Sequence, residues 1–264
     1  MRPLLSAEML KLARQPGVLF FGFFAVPMLA ILFKLILQGL VLVRTGRSAE
    51  GSVDLFLSAA RALSVSGNSL GQLFYALGIA SVFFLEYRYS TWRLIVPRSA
   101  RSQLFAAKFL VCLVCLSAGL VVAALGDMVL SVVLAVLNGQ GLAGIRIDMG
   151  SLPLLVAAFS IALLELSVLA ALVAAIVIIS RSLVAAVLPA FLLAIGASIL
   201  QIYLGRDADG LPLPSYAAQS LRDWLFSTGG PAAGMEGLLV LLAWLAGLLT
   251  LGSIWFMRQQ LATE

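Results

Sequence analysis

The feature that limits this chain most is a series of unbroken Leu, Val, Ala and Ile runs, each about 20 residues long or longer. A bilayer core about 30 Å thick needs roughly 20 apolar residues per helix, so 264 residues supply about six crossings with short connections. The period-two alternation that an outer-membrane barrel requires is absent, so the runs read as helices. With 62% hydrophobic and 11% charged residues and a mean hydropathy of +1.10, the chain lies well outside the range of a soluble domain. The expectation is an all-α polytopic integral membrane protein, a single transmembrane domain over residues 1–264 with no room for a large soluble one.

The spans are expected at about Val18–Leu40, Val65–Leu85, Phe105–Val133, Leu152–Ile179, Leu183–Leu204 and Gly237–Met257. The first span should be retained. Glu8, Lys11 and Arg14 precede an apolar run that is too long for a cleaved signal and has no small-residue cleavage site. Positive residues stay in the cytoplasm. Placing the N-terminus inside puts Arg2, Lys11, Arg14, Arg88, Arg93, Arg98, Arg101, Lys108, Arg181 and Arg258 there. The smaller set, Arg44, Arg47, Arg61, Arg146, Arg206 and Arg222, lies opposite among several acidic residues. Both termini and the 85–101 connection are therefore expected to be cytoplasmic.

Before the first span, Leu5, Met9 and Leu12 recur at helical spacing, with Glu8 and Lys11 elsewhere on the wheel and a Pro-Gly break after them. This describes either an interfacial helix over residues 3–15 or an ordinary basic flank. The outer connection SVDLFLSAARALSVSG is mildly amphipathic. The connection over 205–236 contains YAAQSLRDWLF, bracketed by Pro and Gly, which reads as a helix that dips into the outer leaflet or one that rests on the surface. Gly67, Gly71 and Gly78 share one side of a helical wheel and predict close helix packing, within the chain or between two copies.

Several chemistries are absent. No GxxxxGK[ST] phosphate loop occurs, and none of Lys11, Lys34 and Lys108 follows a glycine, so the chain has no Walker site of its own. There is no histidine, which removes His-based metal sites and a His base; no metal site, resident cofactor or catalytic residue is expected. Cys112 and Cys115 form CxxC inside an apolar span, where packing is the natural role. The basic segments are expected to meet membrane lipids, not nucleic acid. Charges inside the spans are Lys34, Asp127 and Glu165. Lys34 is placed to snorkel outward, and Asp127 falls toward the outer half of its helix, where it should meet water. Glu165 is either a polar contact to a neighbouring helix or a group on a substrate path.

A transporter without a motor must receive one, on a cytoplasmic surface joined rigidly to the spans. The segment LEYRYSTWRLIVPRSAR fits that description. Trp92, Leu94 and Ile95 form an apolar plug, Arg88 and Arg93 supply fixed charge, and Pro97 ends a short helix. Glu86, at the membrane edge, can accept hydrogen bonds from the basic residues of the first helix or from the turn that follows it. The alternative is a basic loop that merely sets topology.

The stretch SAEMLKLARQPG leading into FFAVPMLA, six spans, and E-x4-T-x2-L-x2-P-x-S-x-R-x6-K after the second span resemble the permease subunits of type 2 ABC exporters. The pattern falls on Glu86, Thr91, Leu94, Pro97, Ser99, Arg101 and Lys108, and Ser90 stands where that family often has Gly. In size and short outer loops the chain is most similar to the bacitracin-resistance and lantibiotic-immunity permeases. The resemblance implies a coupling helix at about Glu86 to Pro97 that docks on a nucleotide-binding subunit, which holds ATP and Mg. It also implies a contribution of the N-terminal interfacial helix to that dock, a second permease copy, identical or homologous, and a re-entrant hairpin at 205–236. The bacterial inner membrane is the implied location.

The expected function is export of a lipophilic or peptide-like substrate, with ATP hydrolysed by the partner. A gradient-driven carrier using Glu165 or Asp127 is the alternative, and a membrane assembly subunit without transport is the third reading.

Overall fold

The computed structural model describes residues 2–45, 53–89, 100–137, 144–204, 211–226 and 230–259. Helix α1 (Arg2–Ala13) stops just before Pro16, which opens α2 (Pro16–Leu19) at a position where its missing N–H costs nothing. The helix continues through a π-turn, Phe20–Phe24, into α3 (Ala25–Thr45). Asp54 caps α4 (Leu55–Ala62) by accepting from the Phe56 N–H at 3.1 Å. A 3-10 turn, Leu63–Gly67, then leads to α5 (Ser69–Arg88), where Asn68 accepts from Leu70 N–H at 2.9 Å. The remaining helices are α6 (Arg101–Leu137), α7 (Leu152–Ser180), α8 (Leu183–Leu204), α9 (Pro214–Leu225) and α10 (Pro231–Arg258).

Among the described residues, six helical segments are long and apolar enough to cross a membrane: Pro16–Val41, Ser69–Arg88, Arg101–Leu137, Met149–Ser180, Leu183–Leu204 and Ala232–Arg258. The protein is an all-α polytopic membrane protein. The second span begins at Ser69 and not Val65, because Val65 lies in the 3-10 turn that the Asn68 cap terminates. Helix α1 ends at Ala13, two residues short of the 3–15 boundary expected for an interfacial helix, where the chain turns toward Pro16.

The fourth span is central, with 78% of its apolar window buried inside the protein against 17% for the last span. Helix α7 passes to α8 through Arg181 and Ser182 alone. Arg181 adopts the left-handed conformation at φ 53°, a geometry that costs a non-glycine residue roughly 1–2 kcal/mol and that closes this tight turn. On the other side, the first span crosses α5 backbone to backbone. A Cβ on Gly78 would sit 2.7 Å from the Gly22 Cα, and one on Gly22 would run into the Gly78 Cα. The π-turn containing Gly22 also brings the Phe23 carbonyl against Gly119 of α6, where a Cβ would meet it at 2.7 Å.

One face of the bundle gathers α1, the end of α5, the start of α6 and the ends of α7 and α10. Arg101 donates to the Met257 carbonyl at 2.8 Å, Tyr87 donates to Gln259 Oε1 at 3.0 Å, and the Gln259 amide donates to the Ile178 carbonyl. The described N-terminal and C-terminal segments thus share a face. The opposite face holds a short parallel pairing of β1 (Val53–Asp54) with β2 (Ile145–Arg146), reinforced by a hydrogen bond from Ser151 to Asp54.

Helix α9 lies alongside the interior of α8, not beyond its end. Tyr216 donates to the Ala197 carbonyl at 2.6 Å, and Gln201 donates to Gln219 at 2.9 Å. Ala197 is about 10 Å of helix axis short of Leu204. Gly237 of α10 admits this packing, since a Cβ there would be 2.6 Å from the Ala217 carbonyl oxygen.

Candidate functional site

Charged side chains inside a bundle of this kind are costly unless paired, and among the described residues they collect into three nodes. The first lies on the face that carries α1. Lys108, 2% exposed, donates to Glu8 Oε2 at 2.7 Å, to Glu86 Oε1 at 3.1 Å and to the Val82 carbonyl at 3.3 Å. Lys11 donates to Glu8 Oε1 and Glu86 Oε1, both at 2.8 Å. Two carboxylates and two ammonium groups therefore alternate in these contacts. The node ties α1, the last turn of α5 and the first turns of α6 together. A cavity of about 260 Å³ adjoins it, lined by Arg14, Gln15 and Tyr89 as well as the node itself.

The one-sided burial of α1 explains how this arises. Leu12 and Glu8 are buried together on one side, with Leu5 and Met9 half-buried, while Leu10 is exposed. Glu8 thus belongs to the buried face, which helical spacing assigns to Leu5, Met9 and Leu12 alone. Lys11 is nearly half exposed, and burial by itself would lower its pKa. Its hydrogen bonds and Coulombic attraction to Glu8 and Glu86 outweigh that and leave the pKa raised.

Glu86 and Arg88 are residues of α5, which runs unbroken to Arg88, so the expected coupling helix cannot begin at Glu86. Glu86 is 5% exposed and turned into the node; Arg88 is exposed, with its guanidinium 5.6 Å from the Tyr89 ring centre. Thr91, Trp92, Arg93, Leu94, Ile95 and Pro97 lie outside the described residues. The flanks of that segment are nonetheless fixed, because Glu86 on one side and Lys108 on the other are in direct contact.

The second node lies toward the opposite face. Lys34 donates to Asp127 Oδ1 at 2.6 Å, and Ser58 of α4 donates to Asp127 Oδ2 at 2.6 Å. Asp127 is 2% exposed, so the expectation that it meets water fails; α4 folds over it. Lys34 does not simply snorkel outward either, since its ammonium turns to this carboxylate. Equal depth in the outer half is the signal the sequence offers for the pair, because a buried acid and a buried base at one level neutralise each other.

The third node centres on Glu165 in α7, 3% exposed, about 22 Å of axis from Ser180. Arg222 of α9 forms a salt bridge with it, Ser66 donates to Oε2 at 2.9 Å and Gln72 donates to Oε1 at 3.3 Å. Gly67 sits in the 3-10 turn, so it does not share a helical stripe with Gly71 and Gly78. A Cβ at Gly67 would come within 2.9 Å of Arg222 Nη1, so its smallness leaves room for that guanidinium. Gly71 faces Val26 of the first span, 3.0 Å from a Cβ placed there. The Arg222 partnership is not legible in the sequence, because nothing in the spacing of residues 165 and 222 reports which helices become neighbours.

Cys112 and Cys115 are free and buried in α6. Among the described residues, no group of three or more His, Cys, Asp or Glu side chains is arranged to hold a metal ion. A cavity of about 530 Å³ adjoins the second node, and Asp127 lies on its wall.

Comparison with curated proteins and with solved structures returns no significant match. A family profile described as ABC-2 family transporter protein matches residues 4–197, which run from α1 through most of α8 and include all three acidic centres. Six membrane-spanning helices and the match over most of its length lead to one conclusion: the chain belongs to the ABC-2 transporter family, as a membrane permease.

Proposed function

We propose that this permease is the membrane subunit of an ATP-driven exporter in which a separate nucleotide-binding subunit, holding ATP and Mg, docks on residues 90–99. Permeases of this family in general act with an ATP-binding partner. The observation that carries the reading is the node of Glu8, Lys11, Glu86 and Lys108. A surface that takes a push must pass it to the spans without slack. The node locks both flanks of residues 90–99 to each other and to α1, so force applied there reaches the second and third spans together. Removing one partner from a buried pair of this kind typically costs about 3–5 kcal/mol, which makes the joint stiff on the scale of a docking event.

In this reading the face carrying the node is cytoplasmic, both termini are inside, and the membrane is the bacterial inner membrane. Trp92, Leu94 and Ile95 plug a groove on the partner, with Arg88 and Arg93 around it, and α1 completes the dock. Two permease copies, identical or homologous, frame the path. The cargo is lipophilic or peptide-like, as for the bacitracin-resistance and lantibiotic-immunity permeases. Glu165 and Asp127 are each held by a fixed cation and hydroxyl donors, an arrangement that favours structural and positioning roles over proton carriage.

The test is affinity purification from native membranes in mild detergent, with identification of copurifying chains and an ATPase assay. A stoichiometric Walker-motif protein with ATPase activity is expected, lost when Trp92→Ala and Arg93→Glu are combined while the permease stays folded. A chain that purifies alone and hydrolyses nothing, or a double variant that retains its partner and its stimulated ATPase, would overturn the reading.

A further inference from the structure

The hydrogen bonds that join helix ends on the face carrying α1 fall on the two flanks of residues 90–99. Tyr87 follows Glu86 in α5, about 100° further round the helix. Glu86 turns to Lys11 and Lys108, whereas Tyr87 donates to Gln259 Oε1 at 3.0 Å. On the second flank Arg101, the first residue of α6, donates to the carbonyls of Met257 and Gln259. Each flank is thus held twice, once by the charged node at α1 and once by the end of α10.

The chemistry at Gln259 is specific. Its backbone leaves the helix at φ -63° and ψ 134°, and its carboxamide bridges two other helices. The oxygen accepts from Tyr87, and the nitrogen donates to the Ile178 carbonyl. Ile178 is buried in the last turn of α7, where carbonyls have no helical partner of their own. A carboxamide serves both neighbours because it carries an acceptor and a donor; a glutamate keeps only the first and a methionine neither. The Met257 and Gln259 carbonyls stand at the negative end of the α10 dipole, which suits the Arg101 guanidinium in charge as well as in geometry.

Beneath this clamp, the ring centre of Phe105 in α6 lies 6.1 Å from that of Phe83 in α5 and 6.3 Å from that of Phe256 in α10. Apolar contacts of this kind resist separation but are not directional. Hydrogen bonds are directional, so they fix the register of α10 against α5 and α6. The last span depends on such ties, because only 17% of its apolar window is buried inside the protein.

We propose that Gln259 and Arg101 are positioning residues of transport, which carry movement of the flanks of residues 90–99 into the last span and, through the Ile178 carbonyl, into α7. The charged node delivers the same push to the first span by way of α1, so two clamps divide one input between the two halves of the chain. This deepens the docking reading and rests on it for the source of the push.

The test uses the permease recovered with its ATPase subunit, carrying an environment-sensitive fluorophore on Met235→Cys in one preparation and on Leu70→Cys in another. Met235 lies about 36 Å of helix axis from Gln259, and Leu70 about 26 Å from Tyr87. Both positions are exposed, whereas Cys112 and Cys115 are buried away from the label. Addition of ATP with vanadate is expected to change the emission at both. Gln259→Met combined with Arg101→Met is expected to keep the partner and the response at Leu70, and to lose the response at Met235. Each single variant is expected to reduce the Met235 response, and the singles carry the test if the double variant does not fold. An undiminished Met235 response, even with a lower thermal midpoint, marks a purely structural clamp and would overturn the proposal. Loss at both positions, or a native complex silent at Met235, would overturn it too. A permease that purifies without an ATPase overturns the docking reading and this one with it, whereas the preceding outcomes overturn this one alone.

Discussion

Lys108 lies against Glu8, with its Nζ 2.7 Å from Oε2, although a hundred residues separate them. Lys108 is also the last residue of the pattern that begins at Glu86, so one buried ammonium joins α1 to both ends of that pattern. Lys108→Met removes the buried cation that Glu8 and Glu86 share, and leaves the half-exposed Lys11 in contact with both. The expected loss is about 3–5 kcal/mol, read as a lower thermal midpoint in detergent. Adding Glu86→Gln to Lys108→Met is expected to recover part of it, which a double-variant cycle measures.

Glu165 and Arg222 give the same kind of cycle between α7 and α9. Arg222→Gln strands a buried carboxylate and is expected to cost about 3–5 kcal/mol, while Glu165→Gln with Arg222→Gln costs less than the two single changes summed. A gradient-driven carrier would instead lose proton-coupled flux in Glu165→Gln at full stability. Measuring both stability and flux in the single variant separates the roles.

Gly22 and Gly78 touch through backbone atoms alone, so neither side can yield by changing a rotamer. Gly78→Ala is expected to cost about 1–3 kcal/mol, whereas Gly126→Ala, which meets only the end of the Ile31 side chain, is expected to be milder. Gly39 is the control, because a methyl group added there would have nothing within 4 Å: Gly39→Ala is expected to be neutral or to gain up to about 1 kcal/mol. Thermal midpoints of the three variants order these costs.

The raised pKa of Lys11 fixes the pH dependence of its contribution. Its folded value exceeds the ordinary 10.5, so the contribution is complete below about 10.5 and is lost as pH rises through the folded value. The stability difference between the native chain and Lys11→Met is therefore expected to stay flat from about pH 6 to 9 and to shrink only beyond about 10.5. Thermal midpoints across that range check the sign.

What can be read from the sequence follows from what helical geometry encodes. Depth along a helix is countable at about 1.5 Å per residue, and the six spans and the level of Glu165 come from that count. Azimuth is not countable without knowing the neighbours. Depth alone points Asp127 outward into water, and the covering helix α4 carries Ser58 to it from another part of the chain. Glu8 reads as polar surface because its partner Lys108 lies on a helix that the wheel of α1 cannot see. The Gly67, Gly71 and Gly78 alignment fails at Gly67 for a further reason: a wheel assumes one continuous helix, and the chain enters α5 through a tighter 3-10 turn.

The Glu165 and Arg222 pair also sets an order on the assembly of the protein in the membrane. Glu86 and Asp127 each find their earlier-made lysine, Lys11 or Lys34, already synthesised, but the cation for Glu165 arrives 57 residues later. At about 5–20 residues per second, that is a delay of roughly 3–11 s during which the fourth span carries its carboxylate into the bilayer without a guanidinium. Ser66 and Gln72, both made earlier, are the donors at hand for that interval. The charge pairing of the fourth span is thus completed only when α9 arrives.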